Sequence, residues 1–150
     1  MEINIREASI TDIDNGLLEV FIEGYRYHQK GRTDIFVDLS DEELKSDLIK
    51  NFEKFEILVM TINDKIEGYI TYKIKENHAK KLDIDQLVIA EKSRNKGFGK
   101  LLMEEVKNIA KKNNCDRLEL NCWLFNENAL AMYEHIGFER QRIIYEMKLS

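Results

Sequence analysis

The chain has 150 residues, 43% of them hydrophobic, and a formal net charge of −5. That length and apolar content suit one domain, residues 1–150, with a real hydrophobic core. The acidic balance argues against a nucleic-acid-binding protein, which needs a basic surface, and the absence of any run of about 18 apolar residues argues against a membrane protein.

The first residues and the cysteines indicate the compartment. The chain begins Met1–Glu2–Ile3–Asn4–Ile5, without the basic and apolar regions of a secretory signal, so we expect a cytoplasmic protein. Cys115 and Cys122 are the only cysteines, they form no C-x-x-C pair, and no histidine stands at metal-ligand spacing. We therefore expect free thiols and no metal site.

Turn residues and apolar periodicity divide the first half of the chain into a strand, two helices and a hairpin. Ser9 and Thr11 are candidate N-caps of the first helix, and Ser40 with Glu43 makes a capping box that opens the second. The predicted elements are a strand at residues 2–7, a helix up to Tyr25, a loop at 30–39, the second helix, and strands at 55–62 and 66–74.

Strands and helices alternate in the second half. Asn126 is a candidate cap of the last helix, and Gly137 suits its C-terminal stop. The order β-α-α-β-β-β-α-β-α-β predicts an α/β (α+β) fold with a mixed central sheet, because a strand–helix–strand unit pairs its strands in parallel. The predicted elements are strands at Leu82–Ala90 and Arg117–Cys122, a helix at Lys100–Lys112, the last helix, and a closing strand at Phe138–Leu149.

The loop between the central strand and the long helix is the most informative segment. It reads Arg94–Asn95–Lys96–Gly97–Phe98–Gly99 and is followed by Lys100. Such a loop directs backbone N–H groups and a helix N-terminus at one point, where a phosphate is stabilised. Two glycines let a ligand approach the main chain, and three basic side chains add positive charge. The dinucleotide and Walker patterns are both absent, and an ordinary strand-to-helix turn is the alternative.

A second motif lies downstream of this loop. Residues 126–138 read Asn-Glu-Asn-Ala-Leu-Ala-Met-Tyr-Glu-His-Ile-Gly-Phe. The segment resembles the N-x-x-A-x-x-x-Y-x-x-x-G-F pattern on the last helix of the GCN5-related N-acetyltransferases, the GNAT superfamily. The loop is similar to that family's R/Q-x-x-G-x-G/A pattern, and the two motifs stand in the family's order and spacing. The resemblance covers residues 82–149 well and the first half more loosely.

The resemblance implies that acetyl-coenzyme A is the acetyl donor and coenzyme A a product. It assigns the pyrophosphate to residues 94–100 and the pantetheine arm to the backbone of Leu87, Val88 and Ile89, beside a following strand that splays away. By resemblance, an N–H near Val88 or Ile89 polarises the thioester carbonyl. Asn126 and Asn128 match polar positions that contact the cofactor, with a plain helix cap as the alternative for Asn126.

Acetyl transfer to an amine needs a general base for the amine and benefits from an acid for the departing thiolate. The resemblance assigns the acid to Tyr133, with a purely packing tyrosine as the alternative. Asp83 and Asp85 share one face of the central strand by period-two alternation, and Asp83 stands where some relatives carry a glutamate base. Neighbouring carboxylates raise each other's pKa, which suits a base near neutrality. Solvent-facing carboxylates and deprotonation through ordered water are the alternatives.

The family usually builds its acceptor side from the first two helices and their loop, here about residues 21–45. Tyr25, His28, Asp34 and Phe36 are the candidate substrate residues, since aromatic rings and acidic groups suit a cationic amine. The same stretch holds Arg26, Lys30 and Arg32, so a solvated loop of mixed charge is the alternative. The leading hypothesis is an N-acetyltransferase for a primary amine on a small molecule, acting by direct attack in a ternary complex. A protein or peptide N-acetyltransferase and a non-catalytic acyl-coenzyme A sensor are the alternatives. Many relatives dimerise, so a homodimer stays open.

Overall fold

The fold consists of five strands and four α-helices, and the computed structural model describes residues 1–150. A short 3-10 helix at Ile10–Asn15 precedes the first α-helix. None of the helices is both long and apolar enough to cross a membrane. In chain order the elements are β1 (Ile3–Glu7), α1 (Leu17–Gly31), α2 (Asp41–Lys54), β2 (Glu56–Ile62), β3 (Lys65–Glu76), β4 (Lys80–Ile89), α3 (Phe98–Lys112), β5 (Arg117–Leu120) and α4 (Glu127–His135).

The strands form one mixed sheet in the order β1-β2-β3-β4-β5. The first four strands are antiparallel neighbours, and β5 pairs with β4 in parallel. Asn63 and Asp64 join β2 to β3 with φ values of 50° and 67°, as a two-residue hairpin turn requires. The predicted mixed sheet with flanking helices is therefore confirmed.

Local capping signals set the helix starts. The Ser40 hydroxyl accepts from the Glu43 N–H at 3.1 Å while the Glu43 carboxylate accepts from the Ser40 N–H, as the capping box predicts. Ser9 caps the 3-10 helix rather than α1, because Gly16 at φ 117° ends that segment before Leu17 begins α1.

The sheet separates two hydrophobic clusters. One lies under α1 and α2 and includes Leu17, Phe21, Leu48, Val88 and Ala90. The other lies under α3, with α4 at its edge, and includes Leu82, Ile84, Phe98, Leu102 and Val106. The sheet thus buries both faces, and only its edges and strand ends are open to ligands.

A β-bulge in β4 changes the phase of its side chains. Tyr72 pairs with Ile84 and Thr71 pairs with Gln86, so Asp85 is the extra residue. Before the bulge the even-numbered Ile84 packs under α3, whereas after it the even-numbered Val88 packs under α1. Simple alternation along the sequence does not predict this change.

The strands β4 and β5 diverge. Their pairing covers only Lys81–Ile84 against Arg117–Leu120, although β4 continues to Ile89. The last part of β4 therefore has no neighbouring strand on the β5 side.

The prediction of a closing strand at Phe138–Leu149 is wrong for this structure. The sheet ends at β5, and residues 139–150 are exposed and form no regular element. A strand needs a neighbouring edge that supplies backbone hydrogen bonds, and none is paired with this segment.

Candidate active site

The gap between β4 and β5 exposes backbone groups of β4. The Ala90 N–H donates to the Glu67 carbonyl of β3 at 2.8 Å, so Ala90 and, by alternation, Val88 turn toward β3. Leu87 and Ile89 consequently present their N–H and C=O groups to the opposite side, from which β5 has diverged. The Ile89 carbonyl accepts a hydrogen bond from Arg94, while the other outward groups have no strand partner and need one. The gap therefore suits an extended ligand bound as a pseudo-strand.

The glycine loop leaves a second set of backbone donors free. Gly97 is the N-cap of α3 at φ 82°, and no side chain caps the helix. None of the N–H groups from Asn95 to Lys100 has an acceptor in the protein, and Leu101 is the first to donate back, to the Gly97 carbonyl at 3.2 Å. Free N–H groups at a helix N-terminus form an anion-binding site.

The two glycines of the loop differ in purpose. A Cβ on Gly97 would meet nothing within 4 Å, so this position borders open space. A Cβ on Gly99 would lie 3.2 Å from the Met132 sulfur, so Gly99 allows α3 to pack closely on α4. Phe98 is buried in the cluster under α3, which means that it can offer a ligand only its backbone.

The basic residues of the loop also differ. Lys96 and Lys100 are exposed and have no ion-pair partner. Arg94 donates from Nε to the Ile89 carbonyl at 3.0 Å, and its guanidinium lies 5.6 Å from the centre of the Tyr27 ring. Its Nη2 is 3.8 Å from a carboxylate oxygen of Glu23, which also accepts the Glu91 N–H. Glu23 carries no motif signal, and only the fold places it beside the loop.

The side chain of Asn126 does not cap α4. It occupies the N-cap position of α4 with φ −88° and ψ 65°, but its side chain makes no cap hydrogen bond. Its Oδ1 instead accepts from the Tyr27 hydroxyl at 3.2 Å. Arg94, Tyr27 and Asn126 therefore link the glycine loop to the start of α4. Asn128 is exposed, and its side chain makes no hydrogen bond.

Tyr133 combines a packed ring with a free hydroxyl. The ring lies at the edge of the cluster under α3, 5.8 Å from the Phe138 ring in an edge-to-face contact. Burial, and to a lesser degree the nearby Cys122, raises the pKa of the phenol well above its ordinary value. No protein atom forms a hydrogen bond with its hydroxyl, whereas a packing tyrosine would be expected to have such a partner.

Asp83 and Asp85 have different surroundings. The Asp83 carboxylate pairs with Lys75 at 3.0 Å. Asp85 is the bulged residue and directly follows Ile84, the last residue of β4 that pairs with β5. Asp85 is solvent-accessible, yet the protein packed around it, and secondarily the Asp83 carboxylate, raises the pKa of its carboxyl.

An aromatic cluster lies between the α1–α2 loop and the β5–α4 loop. His28 and Phe36 of the predicted set belong to it, with ring centres 5.6 Å apart. Trp123 and Phe125, which the sequence analysis missed, complete it at 5.6 Å from Phe36 and 5.7 Å from His28. Their position in the sequence, between β5 and the motif that begins at Asn126, is the signal that could have indicated them.

Two predicted substrate residues are already engaged in the protein. The Tyr25 hydroxyl donates to the Val37 carbonyl at 2.6 Å and so holds the α1–α2 loop. Asp34 accepts two hydrogen bonds from Arg32, both at 2.9 Å, which hold the pKa of its carboxyl at about 2. Its charge is therefore balanced by Arg32. Arg32 also lies 5.2 Å from the centre of the Trp123 ring.

A splayed parallel strand pair beside a free helix N-terminus can bind an extended ligand that carries a phosphate group. The family model described as the acetyltransferase (GNAT) family matches residues 20–138. The chain therefore belongs to the GNAT family of acetyltransferases, a family that generally takes acetyl-coenzyme A as co-substrate.

Solved structures show the same fold. A tetramutant of the BH1408 protein from Bacillus halodurans superposes with a TM-score of 0.85 at 26% identity, over 97% of this chain and 99% of that one. A "possible acetyltransferase" from Clostridium difficile 630 gives 0.76 at 24%, over 100% and 99%. Glucosamine-6-phosphate N-acetyltransferase from Arabidopsis thaliana gives 0.69 at 20%, over the whole of both chains. The last two likenesses, below 25% identity, establish the fold alone.

One relative is similar in sequence over part of its length. The uncharacterized protein YdhI of Bacillus subtilis (strain 168) is 32% identical over 74 residues. The matched stretch covers 49% of this chain and 43% of that protein.

Proposed function

We propose that this protein is an N-acetyltransferase that transfers the acetyl group of acetyl-coenzyme A to a primary amine on a small molecule. The amine attacks directly in a ternary complex. The observation that carries the proposal is the continuity of the β4–β5 gap with the free N-terminus of α3, along residues 87–100.

The donor fits these residues in two parts. The outward-facing backbone of Leu87 and Ile89 suits an extended pantetheine arm, while the N–H groups from Asn95 to Lys100 suit a pyrophosphate. The exposed Lys96 and Lys100 supply the opposite charge. Because Val88 turns toward β3, the outward N–H groups of its neighbours are the candidates for polarising the thioester carbonyl. One such donor is worth roughly 3–4 kcal/mol in transition-state stabilisation.

Tyr133 is the proposed general acid. Its raised pKa keeps the phenol protonated across the working pH range, and its hydroxyl has no competing protein acceptor. A protonated phenol held in an apolar setting can donate a hydrogen bond, and finally a proton, to a departing thiolate.

Asp85 is the proposed general base, which removes the proton from the amine. It stands where the gap between the strands opens. Its raised pKa is closer to the pKa of a base that works near neutrality. Asp83 is less suited because Lys75 pairs with its charge. An ordered water between Asp85 and the amine serves the same chemistry.

The aromatic cluster is the proposed acceptor side. It offers the rings of His28, Phe36, Trp123 and Phe125, while the nearby Asp34 carboxylate is neutralised by Arg32. A polycation would find rings but no unpaired carboxylate among these residues. The cluster therefore favours an amine with an apolar or aromatic body.

The test is an assay of coenzyme A release. The pure protein is incubated with acetyl-coenzyme A and separate arylalkylamines, polyamines, amino acids, glucosamine 6-phosphate and peptides with free N-termini, and free thiol is measured. Release that depends on a small amine supports the proposal, with arylalkylamines expected to be the best acceptors. A control without amine measures hydrolysis of the thioester.

Two outcomes would contradict the proposal. Release with peptides alone would indicate a peptide N-acetyltransferase. Calorimetric binding of acetyl-coenzyme A without release on any amine would indicate an acyl-coenzyme A sensor.

A further inference from the structure

The bulge in β4 places two polar side chains next to each other on the face of the sheet that α1 covers. Gln86 pairs with Thr71 and contacts Tyr69, which belongs to the cluster under α1. Burial, and secondarily the charge of Asp85, raises the pKa of the Tyr69 phenol, so Asp85 lies on the same face. In a regular strand, consecutive side chains point to opposite faces. The bulge therefore directs both Asp85, the proposed base, and Gln86 toward the acceptor side.

The side chain of Gln86 is held in one orientation by Tyr69. The Tyr69 hydroxyl donates to Oε1 of Gln86 at 3.0 Å. Tyr69 is 1% exposed, and this oxygen is the only acceptor that its hydroxyl contacts. Because a buried hydroxyl keeps its proton on an acceptor, the amide oxygen has to face the phenol. The NH2 group of Gln86 consequently points away from Tyr69.

The NH2 group of Gln86 is free and accessible. Its Nε2 atom makes no hydrogen bond with the protein. Gln86 is half-buried, and Nε2 is not one of the buried side-chain atoms that lack a partner, so it is accessible from outside. A glutamine amide carries two N–H donors. Gln86 therefore offers two oriented donors beside the carboxylate of Asp85.

Gln86 also lies on the way from Asp85 to the aromatic cluster. Val88, the next residue of β4 on the same face, contacts α1 at Gly24, where an added Cβ would lie 3.0 Å from a Val88 methyl group. The Gly24 carbonyl is 2.9 Å from Nδ1 of His28, one turn farther along α1, and His28 belongs to the cluster. An acceptor with its amine at Asp85 and its body at the cluster therefore passes Gln86.

We propose that Gln86 is a specificity-determining residue, whose Nε2 donates to an oxygen on the carbon next to the amine-bearing carbon of the acceptor. The inference rests on the proposed acetyl transfer and narrows its acceptor to an amine with an aromatic body and a neighbouring hydroxyl or carbonyl oxygen.

The spacing and the charges of the two residues support this choice. Consecutive Cα atoms lie about 3.8 Å apart, and a nitrogen and an oxygen on adjacent carbons are separated by a similar distance. A neutral amide donor matches a hydroxyl or carbonyl oxygen. A carboxylate in the same place would face the charge of Asp85 and be repelled, so free amino acids are disfavoured.

The experiment compares two acceptors that differ by one hydroxyl, phenylethylamine and its β-hydroxylated derivative phenylethanolamine. Coenzyme A release gives kcat/KM for each. We expect the wild type to prefer phenylethanolamine roughly 5- to 10-fold, as one hydrogen bond from a neutral donor allows. Gln86→Met, which has a side chain of similar length but no N–H, should bring the ratio close to one. Gln141→Met makes the same replacement at an exposed C-terminal position and should keep the wild-type ratio.

Tyr69→Phe tests the orienting hydrogen bond. Without the phenol hydroxyl the amide of Gln86 can rotate, so the ratio of the two kcat/KM values should fall toward one. A loss of stability alone changes both rates alike and leaves the ratio where it was, and circular dichroism verifies the fold. An unchanged ratio in Tyr69→Phe would overturn the orienting role of the phenol.

A binding measurement separates this inference from the acetyl-transfer proposal. In 15N-labelled protein with saturating coenzyme A, the side-chain NH2 signals of Gln86 are assigned by their loss in Gln86→Met. They should shift on addition of phenylethanolamine and hardly at all with phenylethylamine. That shift without any coenzyme A release from acetyl-coenzyme A would contradict acetyl transfer and retain the role of Gln86. Equal effects of the two amines on these signals, or a preference that survives in Gln86→Met, would overturn this inference.

Discussion

The hydroxyl of Tyr133 is free although its ring is packed against Phe138. We expect Tyr133→Phe to lower kcat roughly 100-fold or more, the usual contribution of a general acid. Affinity for acetyl-coenzyme A, measured by calorimetry, should be nearly unchanged, because only the proton donor is removed. Tyr72→Phe is the matched control, since Tyr72 is buried under α3 away from the gap. Equal turnover of the Tyr133 variant and the wild type would remove Tyr133 from the mechanism.

Gly97 and Gly137 form a matched pair of glycines. Both have positive φ, 82° and 112°, and a Cβ would meet nothing at either position. Alanine should therefore lower the free energy of unfolding by roughly 1–2 kcal/mol at each site, through backbone strain. Only Gly97→Ala should weaken acetyl-coenzyme A binding, because only this Cβ would point into the proposed pyrophosphate site. Equal affinities of the two variants would place the pyrophosphate elsewhere.

Among elements, the 3-10 helix is anchored to β1 by one ion pair. Arg6 donates to both carboxylate oxygens of Asp12 at 2.8 and 2.9 Å, and Asp12 also accepts the Ser9 N–H. The hydrogen bonds from Arg6 are the largest cause that lowers the pKa of Asp12. A lowered pKa in the folded state means that this stabilisation is present above the unfolded value of about 3.9 and is lost as pH falls through the folded value.

Asp12→Asn should lower the free energy of unfolding at neutral pH by about 1–3 kcal/mol, a typical cost of losing charged hydrogen bonds. Denaturation with urea from neutral pH down to acid measures it, and the variant should lose less stability than the wild type below pH ~4. Asp14→Asn is the control, because the exposed Asp14 pairs with Lys45 at the surface and should matter by less than about 1 kcal/mol. Parallel pH profiles for wild type and Asp12→Asn would contradict the assignment.

The sequence predicts elements whose causes are local. The Ser40 capping box and the Asn63–Asp64 turn are specified within a few residues, and both form as expected. The strand predicted at Phe138–Leu149 does not form, because alternation shows only that a segment can be a strand, whereas pairing needs an edge elsewhere. The bulge at Asp85 is likewise decided by how β4 meets β3.

The same distinction between local and long-range causes applies to the residues of the candidate site. The glycine loop and Tyr133 can be located because each belongs to a continuous motif with a recognisable spacing. Trp123, Phe125 and Glu23 could not be assigned a role, because only the folded chain brings the β5–α4 loop beside His28 and the glycine loop beside Glu23. Asp34 was predicted to bind substrate. The structure instead pairs its carboxylate with Arg32, and only the structure shows the geometry of this pair.

On the scale of the whole molecule, the sheet separates the proposed donor side from the proposed acceptor side. The glycine loop and Tyr133 lie on the side of α3 and α4, while the aromatic cluster is built from α1 and the loops beside it. The two sides meet at the gap between β4 and β5. The contacts of Arg94 with Tyr27 and of Tyr27 with Asn126 bridge them. In the proposed reaction, the donor and the acceptor would therefore approach the same strand from opposite faces.

That divergence has a consequence for isotope exchange. In deuterated water without ligand, the amides of Leu87 and Ile89 should exchange quickly, as loop amides do, while Val88 between them is protected by β3. A strand inside the sheet would thus show a fast–slow–fast pattern over three consecutive residues, readable by NMR. Saturating coenzyme A should slow the two fast amides and leave Val88 as it was, and uniform protection without ligand would mean that the strand edge is already paired.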